Sequence, residues 1–365
     1  MIKAKKILLV GPLNAAGVGG RLEEMKVWAN ALKRAGCEVS VFSMFNANSY
    51  FGTSSVYESI DILTSISSSS PVRKLALRIW GSKPFKKQRD NFYLSKKWES
   101  FSNTFDHIIL FITDSSRERL IFESPSDTSV LLRFTGTIFD FTNLKRDAGL
   151  SSLPFRKYVF HDPALLFGYS PVIPTHFVDQ TAIEEEKLLQ IPITSSVITF
   201  AMIGLFMEVK QVEEVILKFS QFPELRLLIF GKGELESDYK KLIAEHKLCN
   251  VEIRGFYPSS QMHQMYAQFD ALIINSTEET GPMTGVEAMA AGKIILSKRI
   301  GAMAGRLADE RLLVDTTNTL EIAIESLVNT EKETISEIRT KLRNRYIESY
   351  SNESISHKIA EVTLN

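Results

Sequence analysis

The chain has 365 residues, a length that predicts about two domains. Its apolar fraction of 44% and charged fraction of 24% are close to those of soluble globular proteins, which excludes a mainly disordered, collagen-like or disulfide-stapled chain. The 43 basic and 43 acidic side chains cancel, so no net charge attracts a nucleic-acid backbone. Nucleic acid is therefore not an expected partner.

The cysteine content and the apolar runs bear on the compartment. Cys37 and Cys249 are the only cysteines and lack metal-ligand spacing, which favours a reducing environment. No apolar run approaches the roughly 18 residues of a membrane span, and the first one ends at Gly11 and Pro12, too early for a signal peptide. We expect a cytoplasmic protein that begins at Met1.

The first sixty residues follow a strand, turn, helix, strand pattern. A continuously apolar run at 7–10 leads into a glycine-rich turn, and helical periodicity follows over 21–35. A second apolar run at 39–42 comes after a short link, as in a βαβ unit whose strands lie buried in a parallel sheet. Further buried strands are predicted at 107–112 and 130–134.

A basic segment at 73–97 interrupts this half after a serine-rich stretch at 65–70. It has nine basic residues and one acid, with four aromatic residues between them. Such a segment favours contact with anionic lipid or with a phosphorylated acceptor, through residues such as Lys83, Lys86 and Lys87. A solvated helical face with its aromatic residues in the core explains the pattern equally well.

The alternation of strands and helices restarts near residue 197. Apolar runs predict strands at 197–202, 225–230, 250–254, 271–275 and 294–297, with helices between them. Each unit takes about 25 residues, the rhythm of an open parallel sheet. Three prolines between 171 and 194 indicate a linker, and the last stretch, 335–364, is helical by pattern.

The densest polar motif, residues 276–292, follows a predicted buried strand and opens a helix. Ligands of open α/β sheets bind outside the carboxyl ends of the strands. Glu279 and Glu287 flank a run of residues whose backbone N–H groups are free at a helix N-terminus, an arrangement suited to a diphosphate. The acids suit sugar or ribose hydroxyls, although a solvated loop acid and a favourable first-turn acid would give the same pattern.

The two acids, with seven residues between them, resemble the donor-site signature of the retaining GT-B glycosyltransferases called glycosyl transferases group 1, or family four. The resemblance is strong over 195–300 and only architectural before that. It implies an α/β GT-B fold with two Rossmann-like domains facing each other across a cleft. The expected parts are an acceptor-binding domain at 1–175, a nucleotide-sugar domain at 176–345 and a helix at 346–365 that packs back on the first domain.

The resemblance also implies roles for particular residues. Lys210 neutralises the leaving diphosphate and Glu279 binds donor-sugar hydroxyls, so these two are the expected catalytic residues. Glu287 binds the ribose, while backbone groups at a helix tip and in two loops surround the diphosphate and the base. The implied donor-binding residues are Gly19, Gly20, Gly204, Lys210, Arg254, Gly255, Phe256, Tyr257, Glu279, Pro282, Met283, Thr284, Gly285, Val286 and Glu287.

The sequence departs from the family pattern at two places. The family usually has an arginine five positions before its lysine, and here that position is Leu205, which removes a bidentate phosphate fork unless Arg21 or Arg299 reaches in. Many members also have a histidine in an acceptor loop of the first domain, and this chain has none after strand 130–134. The acceptor-side candidates are Thr135, Thr137, His161 and His176.

The resemblance thus implies a hexosyltransferase, and the lack of a metal-binding motif predicts that it is metal-independent and uses no cofactor. Its expected donor is a uridine diphosphate sugar, and its expected acceptor is a hydroxyl of a glycan or lipid-linked acceptor of cell-envelope polysaccharide (O-antigen, capsule or lipopolysaccharide). A peripheral membrane contact is expected with it. Two alternatives stay open: a catalytically weak nucleotide-sugar-binding scaffold, which Leu205 motivates, and a sugar-nucleotide epimerase of the same fold.

Overall fold

The computed structural model describes residues 4–11, 20–42, 93–112, 118–135, 144–145, 147–153 and 155–365. The chain forms two compact units, one of Met1–Val178 with Ser356–Asn365 and the other of Asp179–Ile355. Five residues singled out above lie outside the described ranges: Gly19, Lys83, Lys86, Lys87 and Thr137. Most of the basic segment also lies outside them.

The amino-terminal unit contains a sheet of six parallel strands in the order β2-β1-β3-β4-β5-β6. The strands are β1 (Lys6–Val10), β2 (Glu38–Phe42), β3 (His107–Ile112), β4 (Ser129–Phe134), β5 (Arg156–Phe160) and β6 (Thr175–Phe177). The helices among the described residues of this part are α1 (Gly20–Arg34), α2 (Lys96–Ser102) and α3 (Arg119–Glu123). The predicted βαβ unit and its two further strands are confirmed.

The apolar strands explain why this sheet is parallel. Ile7 to Val10 of β1 are fully buried, as are most residues of β3 and β4. Strands covered on both faces read as continuous apolar runs, because helices pack on each side of the sheet. Trp28 of α1 stands edge-on to Phe111 of β3, with 5.5 Å between their ring centroids.

The carboxyl-terminal unit contains a second six-stranded parallel sheet, in the order β12-β11-β10-β7-β8-β9. Its strands are β7 (Thr199–Leu205), β8 (Arg226–Lys232), β9 (Val251–Gly255), β10 (Ala271–Ile274), β11 (Ile294–Lys298) and β12 (Leu313–Val314). Its helices are α4 (Glu185–Leu189), α5 (Val212–Lys218), α6 (Glu236–Glu245), α7 (Met262–Tyr266), α8 (Met283–Ala290), α9 (Met303–Leu307), α10 (Leu320–Val328) and α11 (Lys332–Ser349). The α/β fold with two parallel sheets is confirmed.

The end of the chain differs from the single helical stretch that the sequence predicts. The pattern is helical throughout, but the structure breaks it after Ser349 into α11 and a last helix, α12 (Asn352–Leu364). The final residues of α12 belong to the amino-terminal unit, where Lys157 donates a hydrogen bond of 3.1 Å from its Nζ to the carbonyl of Val362. Among the described residues, no helix is both long enough and apolar enough to cross a bilayer.

Candidate donor-binding site

Glycines bring the ends of β7 and β8 into close contact at the carboxyl edge of the second sheet. A Cβ atom on Gly231 would lie 1.8 Å from the carbonyl oxygen of Gly204, and one on Gly233 would lie 2.5 Å from the carbonyl oxygen of Phe206. Any larger residue at these positions would force the two strands apart. The glycines of this edge therefore allow close packing of the backbone, and because they have no side chains they leave space beyond the ends of the two strands.

Lys210 and Glu279 meet at this edge. Lys210 Nζ donates a hydrogen bond to Glu279 Oε1, and the hydroxyl of Ser276 donates another of 3.0 Å to the same oxygen. The lysine side chain lies along Gly204, because a Cβ atom there would be 3.4 Å from Lys210 Cε. Both charged side chains keep some exposure, 26% for the lysine and 16% for the glutamate, so the pair can be reached from solvent.

The N-terminus of α8 lies beside this ion pair. Thr284 of the first helical turn lines the same small pocket as Gly204, Lys210, Ser276 and Glu279. Pro282 occupies the N-cap position, and no side chain caps the helix there. The first N–H groups of a helix have no partner within it and point along its axis, so this terminus attracts an anion.

Residues 301–306 hold the loop before α8 from behind. A Cβ atom on Gly301 would lie 2.4 Å from the carbonyl oxygen of Thr280, and the N–H of Ala302 donates a hydrogen bond of 2.9 Å to that oxygen. The fully buried Arg306 donates from Nη1 to the carbonyl of Pro282 at 2.7 Å, and from Nε to Asp179 Oδ2 at 3.0 Å. This support was not predicted, because Arg306 and Asp179 are 127 residues apart.

Glu287 lies one turn into α8 and is buried. The hydroxyl of Tyr266 donates a hydrogen bond of 2.9 Å to Glu287 Oε2. Burial raises the pKa of Tyr266 well above its ordinary value, and the neighbouring Glu287 carboxylate adds to this effect. The tyrosine therefore stays a hydrogen-bond donor that orients the carboxylate, a role that the sequence did not reveal.

The end of β9 and the loop after it contain the candidate residues Arg254 to Tyr257. Arg254 is directed away along the surface, with hydrogen bonds of 2.6 Å to Glu252 Oε1 and 3.0 Å to Gln268 Oε1. Gly255 has a φ of +76°, which favours glycine. Phe256 is exposed, and the Nζ of Lys232 lies 4.3 Å from the centroid of its ring. Tyr257 accepts a hydrogen bond from Gln268.

Leu205 lies where an arginine would make a bidentate contact with a phosphate, and within the carboxyl-terminal unit Arg299 does not take over that contact. Leu205 ends β7 and is 42% exposed. Arg299 forms an ion pair with Glu310. Arg21, in the other unit, donates from Nε to Thr135 Oγ1 at 2.9 Å. The two arginines named as possible replacements thus have partners of their own.

The acceptor-side candidates of the amino-terminal unit differ in their surroundings. Thr135 follows β4 and accepts the Arg21 hydrogen bond described above. Gly20, a donor-binding candidate of the same unit, begins α1 and is exposed. The Nε2 atom of His161 lies 3.2 Å from Glu24 Oε2, with the histidine side chain fully buried. His176 lies in the short strand β6, where burial lowers its pKa and Lys157 lowers it further.

The same unit contains two buried charge networks, the first of which includes the Glu24 that contacts His161. In the first, Arg133 donates from Nε to Glu24 Oε1 at 2.6 Å, and its guanidinium lies 5.7 Å from the ring centroid of Trp28. The second consists of Asp147, which accepts hydrogen bonds from Arg119 Nη2 and from the hydroxyl of Tyr158. Neither was predicted, because the members of each network come from distant parts of the chain.

Comparison with known proteins gives a family match for one part of the chain. Residues 184–352 match the family described as glycosyl transferases group 1. The carboxyl-terminal unit carries a glycosyl transferases group 1 domain. The matched segment includes the residues at the edge described above, from Lys210 to Glu287. The match identifies the chain as a glycosyltransferase.

Solved structures share the fold over the whole chain. Sucrose-phosphate synthase from Thermosynechococcus elongatus has a TM-score of 0.72 and 16% identity, with 98% of each chain covered. HepE from Anabaena, in complex with UDP and glucose, has a TM-score of 0.66 and 16% identity, with 98% of this chain and 99% of that chain covered.

A third structure, the lipopolysaccharide outer core galactosyltransferase WaaB in its apo form, has a TM-score of 0.64 and 14% identity, with 98% of each chain covered. These neighbours confirm the GT-B fold. No curated relative matches this chain by sequence.

Proposed function

We propose that this glycosyltransferase moves a hexose from a uridine diphosphate sugar to a hydroxyl of a glycan or lipid-linked acceptor, with retention of anomeric configuration. The observation that carries the donor part of the proposal is the Lys210–Glu279 pair beside the uncapped N-terminus of α8. Positive charge, backbone N–H groups and a carboxylate acceptor meet there within one pocket. A sugar diphosphate needs each of these groups.

The chemistry follows from charge development. When the anomeric C–O bond breaks, the sugar becomes positive and the diphosphate takes the electron pair, so leaving-group stabilisation is the main contribution that the protein can make. Lys210 and the amides of Met283 and Thr284 supply it, whereas the N–H of Gly285 already donates a hydrogen bond of 3.0 Å to the carbonyl of Pro282. Glu279 accepts hydrogen bonds from sugar hydroxyls, and Glu287, oriented by Tyr266, binds the ribose. We assign no protein nucleophile, because the acceptor hydroxyl attacks on the face of the leaving group and passes its proton to an oxygen of the departing diphosphate.

The donor base and the acceptor come from different support. The HepE structure contains UDP and glucose, and WaaB is named a galactosyltransferase of lipopolysaccharide outer core. A uridine donor and a role in cell-envelope polysaccharide assembly are proposed here by analogy with these proteins. The loop of Gly255 to Tyr257 is the proposed neighbour of the base.

A transfer assay tests the proposal. The purified protein is incubated with a panel of radiolabelled nucleotide sugars, first alone and then with lipid-linked and glycan acceptors. Transfer that requires acceptor, and that persists after chelation of divalent cations, is the expected result. Conversion of the donor without acceptor would indicate an epimerase instead.

Leu205 favours the second candidate, a nucleotide-sugar-binding scaffold with little catalytic power. It leaves an exposed apolar side chain at the end of β7, beside the proposed diphosphate site. Tight nucleotide binding without transfer to any acceptor of the panel would support the scaffold. Thermal shift with the same nucleotide sugars measures binding directly, since a ligand of the folded state raises its apparent stability.

A further inference from the structure

The proposed donor site has a charge deficit. The charges of Lys210 and Glu279 offset each other in their ion pair, and Glu287 adds a buried carboxyl group nearby. A nucleoside diphosphate brings more than one negative charge, and a helix N-terminus contributes only about half a positive charge. A second cation would therefore strengthen diphosphate binding, and it has to come from the edge of this sheet or from outside the unit.

Six cationic side chains lie at or just after the carboxyl ends of the strands in the carboxyl-terminal unit: Lys210, Lys232, Arg254, Lys298, Arg299 and Arg306. Five of them form ion pairs with carboxylates: Lys210 with Glu279, Arg254 with Glu252, Lys298 with Glu214, Arg299 with Glu310, and Arg306 with Asp179. Within residues 155–365, Lys232 is the remaining cation of this edge. It is exposed and forms no ion pair with any described residue.

Strand register places Lys232 next to the site. It pairs with Leu205 across β7 and β8, and its carbonyl accepts a hydrogen bond of 3.0 Å from the N–H of Phe206. Adjacent strands are about 4.8 Å apart. Gly204, against which the Lys210 side chain lies, directly precedes Leu205. The flexible stem of Lys232 thus starts one strand away from the backbone that Lys210 contacts.

Lys232 has a weak partner that a phosphate can replace. Its Nζ lies 4.3 Å from the ring centroid of Phe256, which is itself 46% exposed. Cation–π contacts at exposed sites are weak, whereas hydrogen bonds between ammonium and phosphate are charge-assisted and stronger. The exchange requires new rotamers of the long lysine side chain, whose four-carbon stem is flexible.

We propose that Lys232 is a second donor-binding cation, which leaves the Phe256 ring and contacts the diphosphate of the bound nucleotide. The neighbouring strand β8 thereby supplies the positive charge that Leu205 of β7 does not. This inference rests on the proposed function, because it assumes that a nucleoside diphosphate occupies this edge. It assigns to Lys232 a role that the motif analysis did not give it.

Calorimetric titration of the full chain tests the inference with UDP, GDP and ADP, each compared with its monophosphate. The variants are Lys232→Gln and Lys232→Arg, and Lys241→Gln is the control for loss of an exposed lysine elsewhere in the unit. We expect Lys232→Gln to weaken the best diphosphate about tenfold, the size of one lost charged hydrogen bond. The monophosphate should lose much less, Lys232→Arg should restore most of the affinity, and Lys241→Gln should have no effect.

Three results would overturn the inference, and they differ in what else they remove. Unchanged diphosphate affinity in Lys232→Gln, with a binding wild type, removes only the role of Lys232. Equal losses for monophosphate and diphosphate show that Lys232 serves the nucleoside side and not the second phosphate. A wild type that binds no nucleoside diphosphate removes the proposed function together with the inference.

Discussion

The two units have sheets of the same size and direction, but they treat charge differently. At the carboxyl edge of the second sheet, Lys210 and Glu279 are partly exposed, and Lys232 is exposed without a carboxylate partner. In the first unit, Glu24, Arg133 and His161 are buried and bonded to one another. Exposed polar groups can exchange their partners for a ligand, whereas buried ones mainly determine stability. Four predictions test this difference, from the largest expected effect to the smallest.

Glu24→Ala should destabilise the protein by about 3–5 kcal/mol, because it leaves the buried Arg133 without its carboxylate. Chemical denaturation measures the change. The control is Glu23→Ala, on the same helix, which removes only a partly exposed pair with Lys26. If both variants lose equally little stability, the network does not hold the fold, and a ligand-binding role for His161 becomes the better interpretation.

Lys210→Ala should lower kcat about 10²–10³-fold, the usual cost of one group that stabilises developing negative charge. Its effect on stability should be below about 1 kcal/mol, since partly exposed ion pairs contribute little. Steady-state kinetics with the best donor of the panel measures the first effect. Lys240→Ala removes an exposed ion pair with Glu236 on α6 and should leave kcat unchanged; a similar loss in both variants would contradict the site.

Lys293 lies in the same unit as the donor site but at the amino end of β11, where it is buried. Burial, together with a smaller contribution from the charge of Arg339, lowers its pKa from 10.5 to about 8. Between these values the unfolded chain binds more protons than the folded one, so the free energy of unfolding should rise with pH.

The rise between pH 8 and 9.5 should be about 1.6 kcal/mol larger in the wild type than in Lys293→Met. Denaturation at the two pH values measures it. The comparison stops below pH 10. Near that pH an unfolded tyrosine ionises, whereas the buried Tyr266 has a raised pKa, so its titration would also change the free energy of unfolding. Parallel pH profiles in the two proteins would show that the buried charge of Lys293 does not lower the free energy of unfolding.

Tyr266→Phe should weaken nucleotide binding by about 1 kcal/mol, the value of one hydrogen bond, because Glu287 loses its orienting donor. Glu287→Ala should weaken binding more. Titration with UDP compares both with Tyr239→Phe, which alters another buried tyrosine of the unit. A loss in Tyr266→Phe that equals the loss in the control would assign the tyrosine to packing alone.

The parts of the fold and site that sequence predicts are the local ones. Apolar runs and their spacing predicted nine of the twelve strands. The strands β6 and β12 were missed because three and two residues are too few for a pattern, and β5 was missed because it begins with the charged residues Arg156 and Lys157. The regular alternation also placed Lys210 and Glu279 after two predicted strands, β7 and β10. The structure shows that these strands are neighbours and joins the two side chains.

What the sequence could not supply are contacts between distant positions. Arg133 and Glu24 are 109 residues apart, and nothing in either segment indicates the other. The place of Lys232 beside Leu205 depends on strand register, which a single sequence does not fix. The sequence likewise contains no signal for the hydrogen bond from the Tyr266 hydroxyl to Glu287.

The chain passes from one unit to the other twice, after Val178 and again after Ile355. As a consequence, no single cut yields both halves complete, and a fragment ending at Val178 would lack Ser356–Asn365. Anyone who transplants the amino-terminal unit into another protein has to move the tail of α12 along with it. The contact of Lys157 with Val362 marks the seam that such a chimera must preserve.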